Sequence, residues 1–460
     1  MAAVGEFFQS ILDLGASVVL PIFIFFFAML MGTKPGRAFR SALLIGIALV
    51  GIKIMTGYLG TALGPAMQAM VKNAGLQLDI MDVGWGSVAA TIWSTPIGAI
   101  GIPLLLVWNI VLLLLRGTKT LMVDMWNYHH LVTVGALVYF ASGNFYLGLG
   151  ATLVAALVTW LLADWSAPFL QKFYGLPGIS LPTLSSISSL VIAAPLNELI
   201  DRIPGVNKIQ GNFSGVRKYL GVFGEPASLA VILGIVIGLL ARYNLKDTLN
   251  LAINLAAVMI ILPKVVAILM QGLMPISEAA QEMLQKRFAG REFYLGLDSA
   301  ISIGHPSVLT GALILTPLTI LLAAILPWNR VLPFADLAVI PFRIAFIVAL
   351  VGGNVFRTLV IGAVVLASVL ICGTLTSPIL TKIFLSTGQT LPEGAAGIAS
   401  FSGGSLYVSY TIMQTFLGNI VAIILGVIVF GAFYLVRKSQ QKKAIALAEI
   451  AAAEAAADEA

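Results

Sequence analysis

Charge is what this sequence has least of. Only 10% of its 460 residues are Asp, Glu, Lys or Arg, against about 25% in soluble domains, so water is excluded as the main solvent of the chain. A single cysteine, Cys372, excludes a disulfide within the chain and a cysteine-built metal site. It lies in the apolar run A-S-V-L-I-C-G-T-L, far from the positive charge that makes a thiol reactive, and is expected to be a small packing residue. Histidine is nearly as rare: three in all, of which His129 and His130 are adjacent and point to different helical faces, so no metal pair is expected. No Gly-rich nucleotide loop and no matched nucleophile and base occur, so no cofactor and no phosphoryl-carrying residue are expected. Alternation of apolar and polar residues is also missing from the hydrophobic runs, which argues against a β-barrel.

What is abundant is apolar sequence. Hydrophobic residues make up 59% and the mean hydropathy is +1.01. A hydrocarbon core of roughly 30 Å takes about 20 helical residues to cross. Eleven runs fit that need: 15–33, 41–60, 97–115, 129–142, 145–164, 224–241, 249–270, 306–327, 334–352, 357–376 and 411–436. The first has no charged leader or small-residue cleavage site, and is expected to be a retained helix. The net charge of +6 is spread over short loops. It fits positive-inside selection better than nucleic-acid binding. Lys34, Arg37 and Arg40 in the first loop and Arg437, Lys438, Lys442 and Lys443 in the tail are then cytoplasmic, which with eleven crossings puts the N-terminus outside.

Sliding the chain on itself reveals a duplication at about 210 residues. Pro168, Lys172, Leu181 and Pro182 meet Pro378, Lys382, Leu391 and Pro392, while Gly143 and Asn144 meet Gly353 and Asn354. At about 212, Asp124 meets Asp336, and Gly84 with Ser87 meets Gly296 with Ser299. The expected organisation is an all-α polytopic membrane protein with a first repeat over 1–205, a second over 206–410, an extra transmembrane helix over 411–437 and a cytoplasmic tail over 438–460. Five crossings per repeat force the second copy to enter upside down. In keeping with this, the basic loop K-P-G-R-A-F-R has as its counterpart Y-N-L-K-D-T-L, where Lys246 is offset by Asp247.

Inverted repeats place substrate near the membrane midplane, where broken helices free backbone groups. The segments 178–190 and 388–405 are too polar and too rich in small residues to span alone, and are expected to be re-entrant hairpins. The segments 85–98 and 297–311 put Gly, Ser and Pro ahead of an apolar helix, and are expected to be interrupted helix starts. Candidate substrate-binding residues follow from these breaks. Asp298 is an acceptor for two sugar hydroxyls or a helix cap. His305 shares its face at i, i+7 if the helix is continuous there. Trp93 and Trp126 offer faces for a sugar's C–H groups or sit in an interfacial belt. Ser87, Ser185, Ser186 and Ser402 offer neutral donors and acceptors or ease close helix contact. Glu225 lies at the mouth of the sixth helix as ligand or cap. Asn144 and Asn354 read hydroxyls or tie hairpins to helices.

The motifs D-V-G-W (82–85), V-D-M-W-N-Y-H-H (123–130), I-P-G-V-N-K-I (203–209), F-G-E-P (223–226), G-L-D-S-A-I-S-I-G-H (296–305), V-L-P-F-A-D-L-A (331–338) and G-N-V-F-R-T-L (353–359) resemble the galactitol permease family. This is the membrane IIC subunit of a bacterial phosphoenolpyruvate-dependent phosphotransferase system, within the ascorbate–galactitol superfamily. The resemblance runs through nearly the whole chain. It implies a homodimer in the bacterial inner membrane, an elevator-type motion, and cytoplasmic IIB and IIA partner proteins that phosphorylate a sugar or polyol. It places Asp298 and His305 on the family's G-L-D and G-H positions, and Trp126, Asn127 and His130 on its W-N-x-x-H pattern. Departures fall on the hairpins, L-P-T-L-S-S and S-F-S-G-G-S, and on Pro96, so the resemblance implies the family and leaves the sugar open. The rival of another class is an ion-coupled secondary transporter with Asp298 and His305 as its proton site.

The charge pattern makes a prediction about orientation. A green fluorescent protein fused to the C-terminus is expected to fluoresce, and alkaline phosphatase fused there to stay inactive; the opposite pattern would reverse the assignment.

Overall fold

The computed structural model describes residues 21–22, 24–26, 28–29, 32–74, 78–122, 124–209, 211, 226–287, 293–303 and 305–458. Glu225 and most of the first apolar run, 15–33, lie outside these residues. The chain is mostly helical. Among the described residues four helices are long and apolar enough to cross a membrane: Pro96–Leu114, Phe145–Tyr174, Val355–Ser386 and Ile420–Ser439.

Helix α1 (Pro35–Ala74) leads to strand β1 (Ile80–Asp82), α2 (Trp85–Trp93) and α3 (Pro96–Leu114). Strand β2 (Thr120–Met122) and a 3-10 turn (Met125–Asn127) enter α4 (Tyr128–Ser142), which is followed by α5 (Phe145–Tyr174). Strand β3 (Ile179–Ser180), α6 (Leu184–Ile187) and α7 (Ser189–Arg202) follow, β3 and α6 lying in the segment 178–190 expected to be the first hairpin. Helices α8 (Pro226–Leu240) and α9 (Leu245–Arg287) precede β4 (Tyr294–Gly296), a 3-10 turn (Ser299–Ser302) and α10 (Pro306–Ile325). Strand β5 (Val331–Leu332), a 3-10 turn (Ala335–Val339), α11 (Ile340–Leu350) and α12 (Val355–Ser386) come next. Strand β6 (Gly397–Ala399), α13 (Tyr407–Phe416) and α14 (Ile420–Asp458) complete the order.

The segments expected to be hairpins each carry a strand and continue into a helix, β3 into α6 and β6 into α13. Their strands join two small parallel sheets, ordered β5-β1-β6 and β2-β4-β3. Ile80 of β1 is in register with Val331 on one side and Gly397 on the other. Leu295 of β4 is in register with Leu121 and with Ile179. The centre strands β1 and β4 are thus paired on both sides, which matters where no water reaches the backbone.

The runs expected at 129–142 and 334–352 take a composite form. At about 1.5 Å per residue, the helices α4 and α11 are too short to cross roughly 30 Å alone. A strand and a 3-10 turn precede each of them. Both are interior: every residue of α4 from Tyr128 to Val138 is buried, as are Arg343 to Ala349 of α11. The run 411–436 is also divided, at Gly418, whose φ of 75° separates α13 from α14. The side chains of Ile420, Val421 and Val427 on α14 are 66–70% exposed, as suits a lipid-facing helix. Cys372 is buried on α12.

Asn144 and Asn354 are helix caps. The Asn144 Oδ1 accepts from the N–H of Tyr146 and Leu147 at the start of α5, and the Asn354 Oδ1 from the N–H of Arg357 at the start of α12. Between α4 and α5 the backbones touch. A Cβ on Gly135 would stand 1.9 Å from the Thr152 Oγ1 and 2.5 Å from the Gly148 carbonyl oxygen, the small-residue packing that lets helices approach closely in lipid. Gly135→Leu is therefore expected to destabilise the protein by about 1–3 kcal/mol through overpacking, read as a lowered Tm in detergent, whereas Gly431→Leu, on α14 with open space around it, should leave the Tm unchanged.

Candidate functional site

Both hairpin tips converge on the first turn of α4. Asp124 starts it: its carboxylate accepts from the Trp126 N–H at 3.0 Å and from the Asn127 Nδ2 at 2.8 Å, fixing the 3-10 turn that carries Trp126 and Asn127. One residue into α4, the His129 and His130 rings meet at a tilt of 40°, their centroids 3.8 Å apart. The His130 Nδ1 lies 3.0 Å from the Ser402 carbonyl oxygen of the second hairpin, so Nδ1 carries the proton and donates. Its Nε2 lies 3.2 Å from the Ser185 Oγ of the first hairpin and accepts from that hydroxyl. The two ring nitrogens of one buried imidazole thus join the two tips.

The first tip is also tied to the 3-10 turn after β4. Thr183 Oγ1 accepts from the Ser299 N–H at 3.1 Å, and the Ser186 and Ser299 hydroxyls are 3.0 Å apart. Asp298 caps that turn, accepting from the Ala300 N–H at 2.9 Å, and remains partly exposed. Asp298 stands close enough to Asp124 and Asn127 to interact electrostatically with both. The second tip is held by Asp336. Its Oδ1 accepts from the Trp85 N–H at 2.7 Å, and its Oδ2 from the Ser400 hydroxyl at 2.7 Å and the Ser402 N–H at 3.4 Å. Asp82 in turn holds the N–H of Phe334 and of Asp336, at 3.0 and 2.8 Å. From α11, the buried Arg343 donates through Nη2 to the Phe401 carbonyl at 2.9 Å. A Cβ on Gly403 would stand 2.4 Å from Val88, so the tip rests on α2 beside the buried Ser87.

Of the residues singled out from sequence, Trp126, Asn127, His130, Ser185, Ser186, Ser402 and Asp298 come together here, while Ser87 is buried on α2 one residue before Val88. Trp93 and His305 do not. The Trp93 ring packs over Gly101 beside Val132, at the junction of α2, α3 and α4. The helix before His305 is not continuous: a 3-10 turn ends at Ser302 and α10 begins at Pro306, so the shared face at i, i+7 does not form. His305 instead caps α10, its Nδ1 accepting from the Ser307 N–H at 3.3 Å, and its ring meets Phe173 and Tyr174. It lines an open cleft of about 470 Å³ with Phe173, Ser307, Gly353 and Asn354. Glu225 lies outside the described residues.

Asp82, Asp336, Arg343 and Trp85 were not singled out as site residues. The duplication expected from the sequence held a signal for one of them: in a chain this poor in charge, Asp336 aligns with Asp124, and it lies in the first turn of a 3-10 helix where Asp124 caps one. Trp85 lies beside Trp126 and His129, with centroids 5.7 and 6.0 Å away. Among the described residues no group of three or more His, Cys, Asp or Glu is placed to hold a metal.

Comparison with known proteins fits this architecture. The family described as PTS system sugar-specific permease component, EIIC-GAT, matches residues 10–394. The galactitol-specific EIIC component of the PTS system of Escherichia coli K12 is 38% identical over 431 residues, 94% of each chain. A putative permease IIC component of the same organism is 33% identical over 420 residues, 91% of this chain and 96% of that one.

The Asp336 carboxylate satisfies three donors in a dry interior, so Asp336→Ala should cost about 2–5 kcal/mol through groups left unpaired. Arg330 pairs with Asp79 where the β5-β1-β6 sheet begins, holding that carboxyl below its ordinary range, but the pair is open to solvent. Asp79→Asn should therefore cost less than about 1 kcal/mol. Thermal unfolding of the two variants side by side checks the ranking.

Proposed function

The chain belongs to the family of PTS system sugar-specific permease components, and we propose that it carries a galactitol-like polyol or sugar across the membrane, held between its two hairpin tips, for phosphorylation by a separate cytoplasmic IIB protein. One observation carries the placement of the site. His130, at the broken start of an interior helix, touches one hairpin with each ring nitrogen, and the groups around it are hydroxyls, amides and two partly exposed carboxylates, Asp124 and Asp298. That is the chemistry of a site for a neutral, hydroxyl-rich guest.

In this reading Asp298 accepts two hydroxyls, Asn127 and the hydroxyls of Ser185, Ser186 and Ser402 complete the polar wall with Ser87 behind them, and Trp126 lies along the carbon chain. The architecture behind it is two inverted repeats, 1–205 and 206–410, with eleven crossings and the N-terminus outside. The two sheets support this. Exchanging β1 with β4, β2 with β5 and β3 with β6 turns the order β5-β1-β6 into β2-β4-β3, which is the exchange expected of two halves related by a pseudo-twofold axis. Each half thus supplies the centre strand of one sheet and both flanks of the other.

Transport then runs by an elevator-type displacement of the hairpin-bearing core against a dimeric scaffold. The IIB protein, charged by IIA, delivers its phosphoryl group to one hydroxyl that this chain orients. The charge gained on phosphorylation opposes return through an apolar barrier.

The experiment is uptake of labelled galactitol into vesicles supplied with phosphoenolpyruvate and the soluble phosphotransferase proteins. Galactitol phosphate should accumulate inside, and Asp298→Asn should weaken galactitol binding by at least about tenfold, the worth of a charge-assisted hydrogen bond. Accumulation of unmodified galactitol on a proton gradient alone would contradict group translocation, and unaltered binding by Asp298→Asn would remove Asp298 from the site.

A further inference from the structure

His129 is the histidine that the sequence pattern passes over, yet it holds the less usual position. It is 1% exposed, the second residue of α4. Its Nδ1 lies 2.8 Å from the Trp126 carbonyl oxygen. A carbonyl only accepts, so Nδ1 carries the hydrogen and the neutral ring presents Nε2 as a bare lone pair. Among the described residues nothing donates to it. Around it stand rings: His130 at 3.8 Å, Trp126 at 4.8 Å and Trp85 at 6.0 Å, the last nearly parallel at 30°.

Buried polar atoms are almost always paired, and one left unpaired calls for a reason. Three other buried side-chain atoms among the described residues share the condition, on Thr33, Thr248 and Ser405. Those are hydroxyls, which rotate to suit their surroundings; the His129 ring is fixed by Trp126 and cannot. His130 beside it has no such vacancy, since both its nitrogens are engaged by the hairpins.

We propose that His129 Nε2 accepts a hydrogen bond from one hydroxyl of the transported polyol, so that His129 determines specificity while His130 joins the tips. The inference rests on the polyol-carrying function and adds to it a chemical requirement. The atom bound there must be a donor. A hydroxyl meets the demand; a keto oxygen, a ring ether oxygen or a deoxy carbon leaves the lone pair buried and unsatisfied. Trp85 and Trp126 flank the same spot and would cover the C–H faces next to that hydroxyl.

The test uses the full-length protein in detergent, with galactitol and its monodeoxy analogues as probes and equilibrium binding as the readout. For the wild type, one deoxy position should weaken binding by about tenfold, the loss of one buried hydrogen bond. His129→Phe should weaken galactitol by about the same factor and show no further loss on that one analogue, while every other deoxy position costs what it costs in the wild type. His129→Gln, whose amide oxygen reaches the place of Nε2, should bind galactitol better than His129→Asn, whose amide matches only Nδ1. That pair carries the test if His129→Phe does not fold. Wild-type affinity in His129→Phe, equal losses on all analogues, or Gln and Asn variants alike in affinity would overturn the inference alone. Failure of the folded wild type to bind galactitol or any related polyol would overturn the transport reading beneath it as well.

Discussion

A backbone that stops being helical inside a bilayer must find partners for its N–H and C=O groups within the protein, at several kcal/mol for each group left bare. The interior of this protein is arranged around that constraint. The chain breaks before α2, α4, α6, α10, α11 and α13, and at these breaks strands, carboxylates and hydroxyls from distant segments supply the missing bonds. Strand β1 is closed on both sides by β5 and β6, and β4 by β2 and β3. Asp82 catches the amides that open the turn before α11, and Asp336 reaches back to the amide that opens α2. No break is satisfied only by its own sequence neighbours, so the halves of the chain depend on each other at the depth where hydroxyl-binding groups are wanted.

The same constraint explains where the few ionisable groups went. Asp82, Asp124, Asp298 and Asp336 all accept from backbone amides at the breaks. Asp124 and Asp298 differ from the buried Asp82 and Asp336 in remaining partly exposed. The ties on the two tips also differ in kind. The second hairpin is held by Asp336 and Arg343, the first by neutral serine and threonine contacts and by His130. Neutral hydrogen bonds are worth less than charge-assisted ones. In the proposed cycle, admission of substrate therefore separates Ser185 from His130 before it disturbs the second tip.

Much of this was legible in the sequence. The poverty of charge gave the membrane, the repeat offset paired Asp124 with Asp336, and the serine-rich stretches marked both tips. Trp126, Asn127, His130, Ser185, Ser186, Ser402 and Asp298 were named from those breaks and from family motifs, and they meet. The two- and three-residue strands were not legible, because so short a segment shows no alternation and its pairing is entirely long-range. Asp82 and Asp336 looked like motif letters, since their partners lie about 250 residues away and no local pattern encodes them. His305 was placed by assuming helical periodicity through a segment that turns as a 3-10 helix and stops. His129 was passed over because the W-N-x-x-H resemblance falls on His130, and no sequence pattern says which nitrogen of a ring is left bare.

The central claim is that the guest lies between the two tips, against the first turn of α4. A structure determined by electron cryo-microscopy with galactitol bound tests it most directly. The account predicts sugar density within hydrogen-bonding distance of Asp298 and the His129 and His130 rings, walled by Ser185 and Ser402. Density in the His305 cleft instead, with the tips closed on each other around His130, would contradict it.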